Sequence, residues 1–240
     1  RTINTAILLR SSNDVVTGNR ITTDGGASSS PSGIKILEPS SGPTLRGNSL
    51  YANNIVTGLT TRGRASAHGI FIGAQDSDGF TNAALRYNDS IINNTVITNC
   101  ILCYGITVRG IQKSTVANNT IVTQQGESHG LYIQRANDTT ITGNNITLAQ
   151  AYGGASLSTA DYSSADALNV LVAMYFESSS GGTVNNNRVT IAGGQGISLD
   201  RSHNIRFSGN IVRTAQSGMS LSTADISTAY ALGGTYDKAF

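Results

Sequence analysis

Two short units alternate along this 240-residue chain, and nothing else in it limits the fold as strongly. One unit is an Asn followed two positions later by an aliphatic residue, behind an alternating strand, as in Val116-Ala117-Asn118-Asn119-Thr120-Ile121. Its copies centre on Asn19, Asn48, Asn94, Asn119, Asn144, Asn187 and Asn210. The other is Gly-apolar-x-apolar, as in Gly105-Ile106-Thr107-Val108, and starts at Gly33, Gly69, Gly105, Gly130, Ala173, Gly196 and Gly218. The step from the Gly unit to the next Asn is about 14 residues in almost every copy, whereas the return step runs from about eight to nearly thirty. A constant arc and a variable arc in each repeat describe a solenoid with its loops on one side.

The apolar-x-apolar segments turn alternate side chains inward, and coils stacked about 4.8 Å apart align equivalent residues into ladders. Asn at a corner tolerates the left-handed region and bonds neighbouring backbone, and stacked Asn residues form an amide ladder. Crossover connections between parallel strands are right-handed. The expectation is an all-β, right-handed parallel β-helix of about seven coils, a single domain over 1–240. A sandwich or barrel would not keep one fixed arc through seven units. Composition agrees: charged residues are 12%, about half the globular average of roughly 25%, and Ser, Thr, Asn, Gly and β-branched residues replace helix formers.

The pattern resembles the pectate-lyase-like superfamily over essentially the whole chain, as an architecture. By that resemblance the Gly unit corresponds to the first sheet, the Asn corner to the second turn and the variable arc to the third turn. Loops of that third turn often wall a carbohydrate groove in such proteins. Ser128-His129-Gly130-Leu131 is similar to the Gly-His-Gly segment of polygalacturonases. The Asp-Asp and Arg-Ile-Lys partners of that family are missing, as is the Asp-Pro-His signature of mannuronan epimerases, so neither activity is carried over.

Insertions are expected near 49–67, 73–89 and 149–168, and Ser156–Asp161 repeats as Ser220–Asp225. Neither end shows a polar cap, so the chain reads as a fragment of a longer protein, or as one whose ends are covered by flanking domains or by partners in a homotrimer. Five Asn-x-Ser/Thr sequons are a by-product of composition. A net charge of +2 lacks the footprint of a nucleic-acid binder. No apolar run reaches the roughly 18 residues of a membrane span. Cys100 and Cys103 form a lone C-x-x-C without the four ligands of a zinc site and read as buried thiols. No cofactor is called for. Asp76, Asp78 and Asp89 are weak Ca²⁺ candidates whose spacing better fits a solvated loop.

Aligned Gly units expose one sheet's outer rows. Two residues past Gly lie Lys35, Phe71, Thr107, Tyr132, Tyr175, Ser198 and Ser220; four past lie Leu37, Gly73, Arg109, Gln134, Glu177, Asp200 and Ser222. Aromatic faces stack on sugars, while Arg and carboxylates take hydroxyls or uronates. Phe71, Tyr132 and Tyr175 are thus candidate platforms, with Arg109, Gln134, Arg135 and Arg201 as further substrate-binding groups. Glu177 and Asp200 fall one coil apart, near the spacing of about 5 Å used by retaining glycosidases, as acid and as nucleophile or base. The competing reading is a solvated pair, or one held by Arg109 or Arg201. One residue before Gly lie His68, Tyr104 and His129 on successive coils, types that move a proton α to a carboxylate in a lyase or uronate epimerase. The plainer reading there is corner histidines bonded to backbone.

Three classes stay open: an extracellular or virion-surface polysaccharide depolymerase of tailspike or secreted type, with hydrolysis preferred; a non-catalytic glycan-binding adhesin; and a structural fibre segment.

Overall fold

The computed structural model describes residues 5–24, 31–38, 46–60, 67–74, 86–100, 103–124, 129–149, 172–192, 195–214, 217–221, 231–232 and 235–238. Ile3, Leu45, Asp76, Asp78, Ser128, Ser222 and both copies of the repeated six-residue string, all singled out in the sequence, fall wholly or partly outside them.

Every regular element among the described residues is a strand, and three parallel sheets of eight strands each run along the molecule. A coil gives one strand to each sheet in turn, as in Cys103–Arg109, Thr115–Ala117 and Thr120–Thr123, before His129–Gln134 begins the next. A short fourth ladder of Arg46–Gly47, Arg86–Tyr87 and Ile111–Gln112 lies between the first and second strands of its coils. Eight first-sheet strands enclose seven turns of chain, so the fold is the expected right-handed parallel β-helix.

The inward rows are aliphatic ladders. Ile34, Ile70, Ile106, Leu131, Met174 and Ile197 stack in the first sheet, and Val56, Val96, Ile121, Ile146, Val189 and Val212 in the third. Each such side chain stabilises the fold by about 1.5–3 kcal/mol when buried.

The Asn corner divides its work between two neighbours. Asn53, Asn93, Asn118 and Asn186 take positive φ, with Gly18, Gly143 and Gly209 in their place on other coils. The following residue makes the ladder: Asn19, Asn54, Asn94, Asn119, Asn144, Asn187 and Asn210. Asn119, fully buried, donates from Nδ2 to Asn144 Oδ1 and to the Ile91 carbonyl, both at 2.9 Å. Its Oδ1 accepts from the backbone and side chain of Asn94 at 3.0 Å.

Two sequence expectations about the repeat need correction. The copy centred on Asn48 is not a rung, because Asn54 holds that level and Asn48 sits at an earlier corner of the coil. The supposed insertion at 49–67 therefore contains two regular strands, Leu50–Ala52 and Ile55–Thr60. The Gly units lie in the first sheet as the resemblance implied, with Gly69 and Gly105 inside its strands. A Cβ on Gly105 would collide with Ile121 Cγ2 and the Gly130 carbonyl, where the first and third sheets converge; two coils on, Ala173 holds the same position.

Cys100 and Cys103 are not free thiols but a disulfide, buried, with Cα atoms 5.4 Å apart. Nor does Asp89 belong to a solvated loop. It is fully buried and pairs with Arg86 at 2.5 Å inside the helix. Arg86 Nη2 also donates to Tyr51 Oη and Ser49 Oγ, both at 3.1 Å. Burial, which outweighs the neighbouring charges, pushes the Tyr51 phenol up to about 12. Buried charges persist when paired and bonded in this way. The pairing in the fold explains the burial: Arg86 occupies the register of the inward Ile111, three residues before Asp89.

Candidate functional site

Strand pleating sends alternate first-sheet residues outward, and strict register stacks them. The pairings Lys35–Phe71, Phe71–Thr107, Thr107–Tyr132, Tyr132–Tyr175 and Tyr175–Ser198 make one row. Arg109–Gln134, Gln134–Glu177 and Glu177–Asp200 make the next. His68 pairs with Tyr104, and the His129 ring lies 5.3 Å from the Tyr104 ring. All twelve site residues expected from the sequence thus gather on this face or at its edge.

Their state differs from open sugar platforms. Phe71, Tyr132 and Tyr175 are only 3, 3 and 7% exposed. Tyr132, Tyr175, Val172 and the partly buried Tyr104 form a small second core outside the solenoid. Stacked rings continue it: His68 on Tyr104 at 4.8 Å, Tyr104 on Tyr132 at 5.7 Å, Tyr132 on Tyr175 at 5.4 Å and His129 on Tyr175 at 5.3 Å. Offset pairs of this kind contribute about 0.5–1.5 kcal/mol beyond area burial.

The buried tyrosines hold the acids. Tyr132 donates to Glu177 Oε2 at 2.6 Å, Gln134 Nε2 to the same oxygen at 2.8 Å, and Tyr175 to Asp200 Oδ2 at 3.5 Å. Arg201 Nη2 then bridges Glu177 Oε1 at 2.6 Å and Asp200 Oδ2 at 3.2 Å. Arg201 reaches them from a left-handed backbone (φ 47°), a conformation shared by Arg135 and Ser178 at the same corner. The carboxylates are therefore adjacent as expected, but joined by the guanidinium that the competing reading named.

At the other end, the Arg109 guanidinium lies between the Phe71 and Tyr132 rings, 5.6 and 5.3 Å from their centroids. Thr107, the small residue between those two aromatics in the row, leaves the room. Lys35 Nζ sits 5.5 Å from the Phe71 centroid. His68 Nδ1 shares a 2.9 Å hydrogen bond with Thr107 Oγ1, and His129 Nδ1 donates to the Val172 carbonyl at 3.3 Å. Burial first, then the charges of Arg109 and Lys35, lower the His68 pKa to about 3. A neutral imidazole that weakly basic is a poor proton acceptor at neutral pH. The sequence placed Lys35 in the row without giving it a role; its shared contact with Phe71 is what sequence reasoning missed.

The stacked coils and their outer aromatic–charged face define a parallel β-helix protein. Residues 74–165 match the family model described as "NosD: Periplasmic copper-binding protein (NosD)". That is a family of right-handed parallel β-helices of the pectate-lyase-like type, and no specific tailspike, hydrolase or lyase family is indicated. No curated protein and no solved structure matches the chain.

Proposed function

We propose that this chain is a carbohydrate-active β-helix working outside the cytoplasm, which holds a polysaccharide strand across the outer face of its first sheet. One observation carries the reading: a continuous stack from His68 through Tyr104 and Tyr132 to Tyr175, flanked by Arg109 and by the Glu177–Arg201–Asp200 cluster. Concentrating rings and charges on one face of a chain with 12% charged residues suits a ligand that is flat, extended and rich in hydroxyls. Partly exposed Tyr104 and His129 offer ring surface, with Tyr132 and Tyr175 as a rigid floor beneath the carboxylates. The disulfide and the periplasmic description of the matching family favour an oxidising compartment.

Copper binding is not carried over. Copper takes imidazole, thiolate or thioether donors. Here the cysteines are spent in a disulfide, Met174 is in the core, and His68 and His129 stand two coils apart with Tyr104 between them. Among the described residues no three His, Cys, Asp or Glu side chains converge.

Hydrolysis is the narrower version, with Glu177 as acid and Asp200 as nucleophile or base once Arg201 lets go. Its test is the release of reducing ends from a polysaccharide panel by the wild type, Glu177→Gln and Asp200→Asn, beside affinity electrophoresis on the same polymers. Binding by all three, with cleavage by the wild type alone, supports both levels. Equal cleavage by all three removes the carboxylate pair from the chemistry. Absence of binding to any polymer defeats the carbohydrate reading. A lyase would leave an ultraviolet-absorbing unsaturated uronate, and its dependence on His129 would restore the proton-abstraction reading.

A further inference from the structure

Two buried polar atoms in the outer row of the first sheet, Arg109 Nε and Gln134 Oε1, have no hydrogen-bond partner among the described residues. They belong to register neighbours in the row that continues to Glu177 and Asp200. One is a donor and the other an acceptor, yet they do not bond each other. Gln134 is only 3% exposed, so bulk water does not serve its oxygen either. An unpaired buried acceptor costs stability, and each one in a native structure calls for an explanation.

Chemistry on the Glu177 side fixes which way the Gln134 amide points. Its Nε2 donates to Glu177 Oε2 at 2.8 Å. The reversed amide would set Oε1 against that carboxylate, oxygen facing oxygen with no proton between them. Arg109 is constrained in its own way, because its guanidinium is held between the Phe71 and Tyr132 rings. The two unpaired atoms are therefore consequences of how their neighbours hold them, and they lie on adjacent strands of one row.

We propose that Arg109 and Gln134 form a hydroxyl-binding subsite, and that the glycan held on this face is a neutral one. The inference rests on the carbohydrate reading above and adds to it the substrate class. A hydroxyl fits both atoms at once: its oxygen accepts from Arg109 Nε and its proton goes to Gln134 Oε1. A carboxylate satisfies the arginine alone and sets a second oxygen against Gln134. Arg109 is partly exposed on a stem with several rotatable bonds, so a shift of its head admits the hydroxyl beside the amide. Beyond Gln134 the row presents acceptors again, Glu177 and then Asp200, which share the one guanidinium of Arg201. A uronate polymer lying along the row brings carboxylates to these oxygens, whereas neutral sugars bring hydroxyl donors. Repulsion of that kind selects between ligands as effectively as attraction does. Water has the same donor and acceptor chemistry as a hydroxyl, and the test separates the two.

The test is affinity electrophoresis on a β-glucan, a mannan and a galactan beside pectate, alginate and hyaluronan, then calorimetry with a hexasaccharide of the polymer that retards most. A neutral polymer is expected to bind tightest, with an affinity that barely changes between about 0.05 and 0.5 M salt. Arg109→Leu and Gln134→Leu should each weaken it about tenfold, and the double variant little further, because one hydroxyl serves both. That cycle separates the subsite from the Glu177 contact, which Gln134→Leu also removes. Thermal melts of the free proteins should show the same two substitutions to be additive. Coupling in the melts as large as in binding would mean that the two side chains meet each other or a water, and overturns the proposal. Tightest binding of a uronate polymer, or losses in binding that simply add, overturns it while the carbohydrate reading stands. The ranking of polymers and its salt dependence need only the wild type, so they decide even where a variant does not fold. Binding to none of the six polymers overturns the proposal together with the reading on which it rests.

Discussion

The Tyr132 phenol donates to Glu177 Oε2 across one coil boundary at 2.6 Å, so the buried aromatic row and the acidic row form one device. Tyr132→Phe keeps the ring between Tyr104 and Tyr175 and deletes only the donor. A hydrogen bond to a charged group contributes about 1.5–3 kcal/mol, and Gln134 and Arg201 still hold Glu177, so a loss near the low end is expected. Urea denaturation measures it. A change within about 0.3 kcal/mol would show that the phenol does not bear on Glu177 in solution.

Arg201 combines an unfavourable backbone with an exposed bridge. Its side chain is 59% exposed, which limits the ion pairs to about 0–1 kcal/mol, whereas left-handed geometry costs a non-Gly residue about 1–2 kcal/mol. Arg201→Gly should therefore leave stability unchanged or slightly raised, while Arg201→Gln, which keeps the strain, lowers it. Thermal melts of the two variants decide. Equal losses would mean that the bridge outweighs the backbone.

Adjacent asparagines at one corner should respond in opposite ways. Asn118 is exposed at φ 54°, so Asn118→Gly is expected to be neutral or stabilising by up to about 1 kcal/mol. Asn119→Ala removes one rung and strands the two Asn94 donors, at a cost of about 3 kcal/mol or more from unpaired buried groups. Parallel denaturant titrations give both values, and similar outcomes for the two would refute the division of labour.

His68 sets a pH window. Its folded pKa of about 3 lies below the ordinary 6.5, so the unfolded chain binds the proton more readily between them. Its contribution to stability is complete above about pH 6.5 and is lost as pH falls toward 3. Carboxylates titrate in part of that range, so the readout is the difference between wild type and His68→Asn. The variant's stability curve should be flatter over the window, and superimposable curves would place His68 in water.

The outer rows were legible because period-two patterning and a constant arc fix register; Tyr132, Tyr175, Glu177 and Asp200 align as counting predicts. The Asn48 misassignment shows where counting fails. A second Gly-Asn corner precedes the true rung in that coil, and spacing alone cannot tell two corners of one turn apart.

The alternating units, read alone, determined the parallel β-helix, its inward aliphatic ladders and the residues of its outer face, since these follow from strand periodicity. Tertiary structure alone decided that outward tyrosines are buried, that Arg201 joins the two acids, and that Arg86 and Asp89 lie inside. Those outcomes depend on what neighbouring coils place within a few ångströms, where a guanidinium or a ring is contacted by residues some 24 to 45 positions away in sequence.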